Sequence, residues 1–307
     1  MQSSGGIKPF DSTDKARVKP KTPISIKWLR MARRGRGLVV AGGIFPAIVH
    51  RSKSAALALL LLAVPWIGSA GALEVGANAR VIEVVDGDTV VLADGNQVRL
   101  VGIQAPKLPL GRTHFPAWPL AEEAKAELQR LVLDRTVGLG YGGARRDRHG
   151  RILAHLHLPD GTWVQGALLA SGMARVYTFA DNRALSREML GLEREARAKG
   201  RGIWSNDFYR ILSPDDAERH IDSFQLVEGR IEAVAVVRGR AFLNFGRNWR
   251  TDFTVEIDPA DLKVFRESGL DPRALEGRRV RARGWLKSRN GPAIQATHPE
   301  QIELVPN

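Results

Sequence analysis

From Ala79 onward, apolar and polar residues alternate in short runs, and this spacing of two predicts β-strands. Three such runs lie within residues 79–103. Asp86-Gly87 and Asp94-Gly95 separate them, and Asp-Gly pairs between alternating runs are a strong hairpin signal. The proline-containing segment 104–118 is predicted as a loop. The pattern therefore predicts three consecutive strands joined by tight turns.

The spacing then changes to that of a helix. Residues 119–133 place apolar side chains at helical intervals on one face, and these are Leu120, Ala124, Leu128 and Leu131. Two further strands are predicted at 136–142 and 151–158, followed by helices at 161–172 and 183–200. Five short strands with a helix after the third are typical of a small OB-type barrel, here with three helices.

The same order returns in the C-terminal part of the chain. Three strands, a helix and two strands are predicted between residues 224 and 307, with turns at Arg238-Gly239 and Asn290-Gly291. We therefore expect an α+β protein, mainly β, with two OB-type five-stranded barrels in tandem. The predicted divisions are an N-terminal segment 1–72, a first barrel 73–205, a linker 206–223 and a second OB-like barrel 224–307.

The net charge of +13 is concentrated at the N-terminus. Residues 1–72 contain 12 Lys and Arg against 2 Asp and Glu, so they carry +10, and the remaining residues carry +3. The predicted barrels are therefore only weakly basic, and charge alone is a poor argument that they bind nucleic acid. The chain has no cysteine, which excludes disulfides and cysteine-ligated metals.

The N-terminal segment has the organisation of a secretory signal. Arg51 and Lys53 precede an apolar run, which is broken by Pro65 and followed by the small-residue site Ala70-Gly71-Ala72. We expect cleavage after Ala72 and export to the periplasm or the medium. The alternative is an uncleaved membrane anchor, because the apolar stretch approaches spanning length. Met31 is an alternative start of the chain.

Two stretches of the first barrel carry candidate chemistry: VVDGDTVVL, with Asp86 and Asp88 in a turn, and VRLVGIQAPK, with Arg99 on a strand. An arginine on a rigid strand is a natural phosphate ligand, and aspartates can hold a divalent ion. Each feature alone also has an ordinary structural interpretation. The aspartates suit a tight turn, Arg99 suits a solvated strand, and Arg151 suits a loop edge.

Together with RDRHGRILAHLHLPDG, VQGALLASGMARVY and RGIWS, these stretches resemble the thermonuclease family, also called staphylococcal-nuclease-like, over residues 79–205. The resemblance implies metal-assisted phosphodiester hydrolysis of nucleic acid, either single-stranded DNA or RNA. It implies that Arg99 and Arg151 are catalytic and contact the scissile phosphate, and that Asp88 reaches a Ca²⁺ ion.

Two positions depart from the family pattern. Gln104 stands where the family has a metal-binding aspartate, and Lys107 stands where it has the glutamate that acts as the base. Fewer carboxylates weaken a Ca²⁺ site, and a protonated lysine cannot take a proton from water. We therefore expect Ca²⁺ binding to be weak or absent and hydrolysis to be impaired, with Lys107 joining the arginines as a phosphate ligand.

Two other functions remain open at this point. One is a non-catalytic protein of the cell envelope that binds nucleic acid or another anionic polymer. The other is a structural envelope protein that keeps the barrel for packing. His114 and His149 lie in loops as alternative bases. His155 and His157 share a strand face, where packing is favoured over metal binding because no third ligand is evident.

The predicted second barrel contains a strand that interleaves basic residues with an aromatic one. Arg281, Arg283, Trp285 and Lys287 fall on one face of it. Such a face suits single-stranded nucleic acid, although a solvated face of an antiparallel sheet is equally compatible with the pattern.

Overall fold

The computed structural model describes residues 73–306, and these residues form two hydrophobic cores. The first core draws its buried residues from the range 81–190 and the second from the range 212–302. The two sets do not overlap, so each part of the chain buries its own apolar side chains. The predicted signal sequence and the rest of segment 1–72 lie outside the described residues.

The first domain is a closed five-stranded barrel, as the sequence predicts. Its strands in chain order are β1 (Glu74–Asp86), β2 (Thr89–Leu92), β3 (Gln97–Leu100), β4 (Ile103–Gln104), β5 (Thr136–Tyr141), β6 (Ile152–His157) and β7 (Arg175–Val176). The barrel order is β1-β2-β3-β6-β5, and β5 closes the barrel against β1. Strands β3 and β6 are parallel, and all other neighbouring strands of the barrel are antiparallel. Strands β4 and β7 form a separate two-stranded ribbon that the apolar pattern does not predict.

Three helices accompany the barrel, in agreement with the prediction. They are α1 (Ala121–Val132), α2 (Val164–Ala170) and α3 (Ser186–Ala198). The apolar face of α1 is buried at Ala124, Leu128 and Leu131, which are three of the four positions that the helical spacing selects. Local periodicity therefore predicts both the helix and the side that faces the core.

Two glycines allow the Asp86–Asp88 turn and the end of β3 to pack closely against neighbouring segments. A Cβ atom at Gly87 would lie 2.6 Å from the Cβ of Ala105 and 2.9 Å from that of Ala124, so only glycine lets the Asp86–Asp88 turn approach the following loop and α1. Gly102 has φ of +82°, a left-handed conformation that turns the chain directly after β3. This turn carries the carbonyl of Ile103 back toward Arg99.

The second domain is built on a seven-stranded sheet. Its strands are β8 (Phe224–Arg230), β9 (Ala233–Val237), β10 (Arg240–Asn244), β11 (Thr254–Ile257), β12 (Arg279–Ser288), β13 (Pro292–Gln295) and β14 (Ile302–Leu304), and its helix is α4 (Pro259–Glu267). The order is β14-β12-β13-β11-β10-β9, and β8 also pairs with β12. The five-stranded barrel expected here is not confirmed. The segment 224–237 forms two strands, β8 and β9, separated at residues 231–232, and the segment 292–305 forms β13 and β14, separated by a stretch that contains a short 3₁₀ helix.

A buried ionic cluster joins the two domains. Arg283 on β12 donates from Nη2 to Glu193 on α3 at 2.9 Å and also contacts Glu303. Arg197 adds a contact to Glu193 at 2.7 Å. Arg283 is 1% exposed and Glu193 is fully buried, so their charges are compensated by each other and not by water.

Two buried histidines make stability depend on pH. His155 in β6 accepts a hydrogen bond at Nδ1 from Trp163, and His298 contacts the Thr178 hydroxyl at 2.7 Å. Burial, with His157 as a second cause for His155, lowers the pKa of each imidazole from 6.5 to about 4. The unfolded chain therefore takes up protons below pH 6.5 that the folded chain resists.

We expect the free energy of unfolding to fall as the pH drops from about 6.5 to about 4, by roughly 2–3 kcal/mol per histidine. Urea unfolding at several pH values measures this loss. His155→Gln should reduce the pH dependence, whereas His114→Gln, at an exposed position, should not. Equal stability at both ends of the pH range would contradict the assignment.

Within residues 73–306, no helix combines the length and the apolar character needed to cross a membrane.

Candidate functional site

The turn between β1 and β2 holds two buried carboxylates beside a lysine ammonium. Nζ of Lys107 lies 2.7 Å from both carboxylate oxygens of Asp88 and 3.2 Å from Oδ2 of Asp86. The backbone N–H of Ala105 donates to Asp88 Oδ2 at 2.7 Å. Asp88 is completely buried, so its negative charge is neutralised by protein groups alone.

Arg99 adds a second cation to this turn. Its Nη1 lies 3.3 Å from Asp88 Oδ1 and donates to the carbonyl of Leu100 at 2.7 Å, while Nη2 donates to the carbonyl of Ile103 at 2.6 Å. These contacts fix the guanidinium at the end of β3. Asp86, Asp88, Lys107 and Arg99 together have no net charge.

The two aspartates differ in acidity because their partners differ. Burial raises the pKa of Asp88, but Arg99 and Lys107 outweigh burial and hold this pKa at about 2. Burial and the neighbouring Asp88 charge raise the pKa of Asp86 above its ordinary value. Asp88 is therefore the more acidic of the two carboxylates, because it makes the shorter contacts with the lysine and also contacts the arginine.

This arrangement does not fit a divalent metal ion. Ca²⁺ takes six to eight oxygen ligands, whereas the oxygens of Asp88 already accept from Lys107 and Ala105. In the described part of the chain, no cluster of three or more His, Asp or Glu side chains could hold a metal. The Ca²⁺ ion that the family resemblance implies at Asp88 is thus not confirmed, and the Lys107 ammonium supplies the positive charge beside this carboxylate.

Gln104 is also unavailable to a metal. Its amide oxygen accepts from Nε and Nη2 of Arg175 at 3.0 and 2.8 Å, across the β4–β7 ribbon. Arg175 is buried, with its guanidinium 4.8 Å from the ring centre of Phe224, and burial lowers its pKa to about 10. The glutamine therefore pairs with a buried arginine that sequence reasoning did not single out.

Arg151 is positioned by the loop that precedes β6. Asp147 accepts hydrogen bonds from the backbone N–H groups of His149 and Arg151, at 2.9 and 3.0 Å, and from Nε of Arg151 at 2.8 Å. Burial opposes ionisation of Asp147, but the bonds from Arg151 dominate and lower its pKa. The four-residue spacing of Asp147 and Arg151 is a sequence signal for this ion pair. On its own, the spacing does not distinguish the pair from an ordinary polar turn.

Arg99 and Arg151 line one cleft of about 600 Å³, which we call the arginine cleft. Arg99 pairs with Leu153 in the parallel register of β3 and β6, and alternate residues of a strand share a face, so Arg151 continues the face of Leu153. The other charged or aromatic side chains in the lining are Arg146, Asp147, Arg148, His149, Tyr177, Phe179, Asp181 and Trp285. The lining is positive overall and includes aromatic surface.

Lys107 is not part of this lining. Its ammonium is bound by Asp86 and Asp88, which corrects the expectation that it completes a three-cation phosphate clamp. His149, one of the two alternative bases, does line the cleft. Tyr177 and Phe179 were not predicted, because they follow β7, a two-residue strand that the apolar pattern does not indicate.

The predicted nucleic-acid face of β12 is only partly accessible. Trp285 and Lys287 are exposed. Arg283 is buried against Glu193 and Glu303, which corrects its assignment to this face, because a guanidinium enclosed at the domain junction cannot reach a ligand. Arg281 is largely covered and is paired with Glu228.

Comparison with known proteins places this geometry in a family. The model of the family described as staphylococcal nuclease homologue matches residues 97–206. An uncharacterized endonuclease of Escherichia coli is 33% identical over 132 residues, which is 42% of this chain and 78% of the relative. The chain belongs to the staphylococcal nuclease homologue family.

Two further relatives are similar to this chain. The thermonuclease of Staphylococcus hyicus is 30% identical over 130 residues, covering 41% of this chain and 75% of the relative. Protein ParB of Escherichia coli is 36% identical over 165 residues, covering 50% of this chain and 82% of the relative. The staphylococcal nuclease match contains Arg99 and Arg151, and it ends before the second domain.

Proposed function

We propose that this protein binds nucleic acid in the arginine cleft and acts as a phosphodiesterase with impaired hydrolysis. The observation that carries the proposal is that Arg99 and Arg151, from different segments of the barrel, line one cleft. Two guanidinium groups suit a phosphodiester, because each carries a permanent positive charge and several N–H donors. Family relatives named endonuclease and thermonuclease support a nucleic-acid substrate.

The reason for impairment lies at Lys107. A lysine ammonium held between two aspartates has no lone pair with which to take a proton from water. Arg99 and Arg151 would still orient the phosphate and stabilise charge that develops on it. Any remaining hydrolysis needs another base, and His149 lies in the same lining.

A second candidate function is binding without hydrolysis. The Lys107–Asp88 ion pair favours it, because this pair replaces both a metal site and a base with a neutral, internally bonded unit. The anion-binding cleft does not depend on that unit being catalytic. The two functions therefore predict the same binding and differ in turnover.

Arg151→Ala and Arg99→Ala are each expected to weaken binding of single-stranded DNA by about 10- to 100-fold, since a hydrogen bond to a charged group contributes about 1.5–3 kcal/mol. Isothermal titration calorimetry in EDTA measures the change without cleavage. Arg130→Ala, on an exposed part of α1, is the matched control and should bind normally. Unchanged binding in both cleft variants would refute the proposed phosphate site.

A nuclease assay separates the two functions. Single-stranded DNA and RNA are incubated with the protein in Ca²⁺, Mg²⁺, Mn²⁺ or EDTA, and products are resolved by size. Slow cleavage that persists in EDTA and falls in Arg99→Ala and His149→Gln supports the phosphodiesterase. Binding without cleavage in any condition supports the binder, and rapid cleavage only with Ca²⁺ overturns the account of Lys107.

We further propose that the protein is exported. The apolar run and the Ala70-Gly71-Ala72 site support cleavage before Leu73, with a membrane anchor as the alternative. N-terminal sequencing of the mature protein, together with fractionation of the host cell, tests this. A mature protein that retains residues 55–72 in the membrane fraction would favour the anchor.

A further inference from the structure

A second cleft lies beside the arginine cleft. Its volume is about 570 Å³, and most of its lining comes from the second domain, including Glu256, Lys287 and Arg289. We call it the second-domain cleft. Three aromatic residues, Tyr177, Phe179 and Trp285, line both clefts. The two clefts therefore meet along a shared aromatic ridge.

Trp285 reaches this ridge from the second domain. Its indole N–H donates to the Tyr177 hydroxyl at 2.9 Å, which fixes the ring against the first domain. Tyr177 in turn packs edge-on against Phe179, with ring centres 4.9 Å apart. Trp285 is 45% exposed and Phe179 is 51% exposed, so much of their ring surface is open to a ligand.

The second-domain cleft contains two basic side chains, Lys287 and Arg289, which suit an anionic strand. Lys287 follows Trp285 on the same face of β12, with Nζ 5.9 Å from the indole ring centre. It pairs with Asp222, but this pair is exposed and worth little, so a phosphate can replace the carboxylate. Arg289 is the other cation of this cleft, and its Nη1 is paired with the buried carboxylate of Glu256 at 2.8 Å.

We propose that a single nucleic-acid strand bound in the arginine cleft continues over the ridge into the second-domain cleft, with a base stacked on Trp285 and a phosphate beside Lys287. The inference rests on the proposed function and extends it to a domain outside the family match. Alternating aromatic and basic side chains hold single strands in this way without reading their sequence. The second domain then sets the length of strand that the protein prefers.

The test compares two lengths of deoxythymidine oligonucleotide by calorimetry in EDTA. One probe is a 5′-phosphorylated dinucleotide, and the other is a strand of about ten nucleotides, within the usual range of such sites. The wild-type protein should bind the longer strand more tightly. Trp285→Ala should weaken binding of the longer strand by about tenfold, since stacking of one base contributes about 1–3 kcal/mol. Trp285→Phe should retain most of the affinity.

Lys287→Ala gives an independent readout. It should leave the dinucleotide affinity unchanged, weaken the longer strand and lower the dependence of its affinity on salt, because one phosphate contact is lost. Trp249→Ala, at another exposed tryptophan outside both clefts, is the control for loss of an aromatic side chain. Thermal melting checks that each variant is folded.

The outcomes separate this inference from the proposed function. If the dinucleotide binds but the longer strand gains nothing from Trp285 or Lys287, the extended path is wrong and the arginine cleft stands. If neither probe binds to the wild-type protein, both proposals fail. Preference for an acidic peptide over the longer strand would identify the second-domain cleft as a protein-binding surface and overturn the inference.

Discussion

Lys107→Glu is expected to make the stability of this protein depend on Ca²⁺. The substitution places a third carboxylate beside Asp86 and Asp88 and removes the ammonium that neutralises them. Without metal, the variant should lose about 3 kcal/mol or more of stability, because Asp88 is buried and loses a charge partner. Millimolar Ca²⁺ should recover part of this loss, by mass action on the folded state. Thermal melting with Ca²⁺ or EDTA measures both effects.

Lys107→Met is the matched control. It removes the ammonium without adding a carboxylate, so it should be destabilised and show no response to Ca²⁺. The wild-type protein should melt at the same temperature with Ca²⁺ and with EDTA. A melting temperature of the wild-type protein that rises with Ca²⁺ would mean that the ion displaces Lys107, and the account of a built-in cation would fail. Gln104→Asp should add little to Lys107→Glu while Arg175 holds that side chain.

Arg283→Met is expected to destabilise the protein by about 3–5 kcal/mol. It removes a cation that contacts Glu193 and Glu303, and both carboxylates remain buried at the domain junction. Burial penalises the charged form of Glu303, while Arg283 and Arg197 hold its pKa below the ordinary value. Loss of Arg283 therefore leaves Glu193 with Arg197 as its arginine partner, while Glu303 keeps only the longer contacts, 3.5–3.8 Å, to Arg194, Arg197 and Arg281. Urea unfolding measures the loss.

Two further variants decide whether the effect comes from unpaired charge. Arg283→Met combined with Glu193→Gln and Glu303→Gln should recover part of the stability, because the two carboxylates that lost Arg283 are then no longer charged. Arg279→Ala, on the same strand but exposed and paired with Glu228, should change stability by less than about 1 kcal/mol. If the triple variant is no more stable than Arg283→Met, lost packing accounts for the effect.

In the proposed function, the arginine cleft binds phosphate while an internal ion pair at Lys107 takes the place of a metal site. The ammonium of Lys107 sits between two carboxylates and is itself unable to accept a proton. The arginines that would contact phosphate remain at the cleft. In the proposed function, anion binding therefore does not require Lys107, and substitution at Lys107 tests this separately from the arginines.

The hydrophobic pattern determined the first domain almost completely. The five barrel strands, the three helices and the Asp86-Gly87 turn follow from spacing and turn chemistry, which act between residues close in the chain. The same local information predicted the strand that carries Arg283 and Trp285, and the face that they share. The resemblance to the thermonuclease family, not the hydrophobic pattern, singled out Gln104 and Lys107 as departures.

Only the tertiary structure decided what those side chains contact. Gln104 meets Arg175, and Arg283 meets Glu193, over sequence separations of 71 and 90 residues, which no local pattern encodes. Whether a basic residue on a strand face is solvated or buried depends on the domain that packs over that face. In the tertiary structure, Arg283 is buried and links the two domains, Lys107 neutralises two buried carboxylates, and the exposed Trp285 lines both clefts.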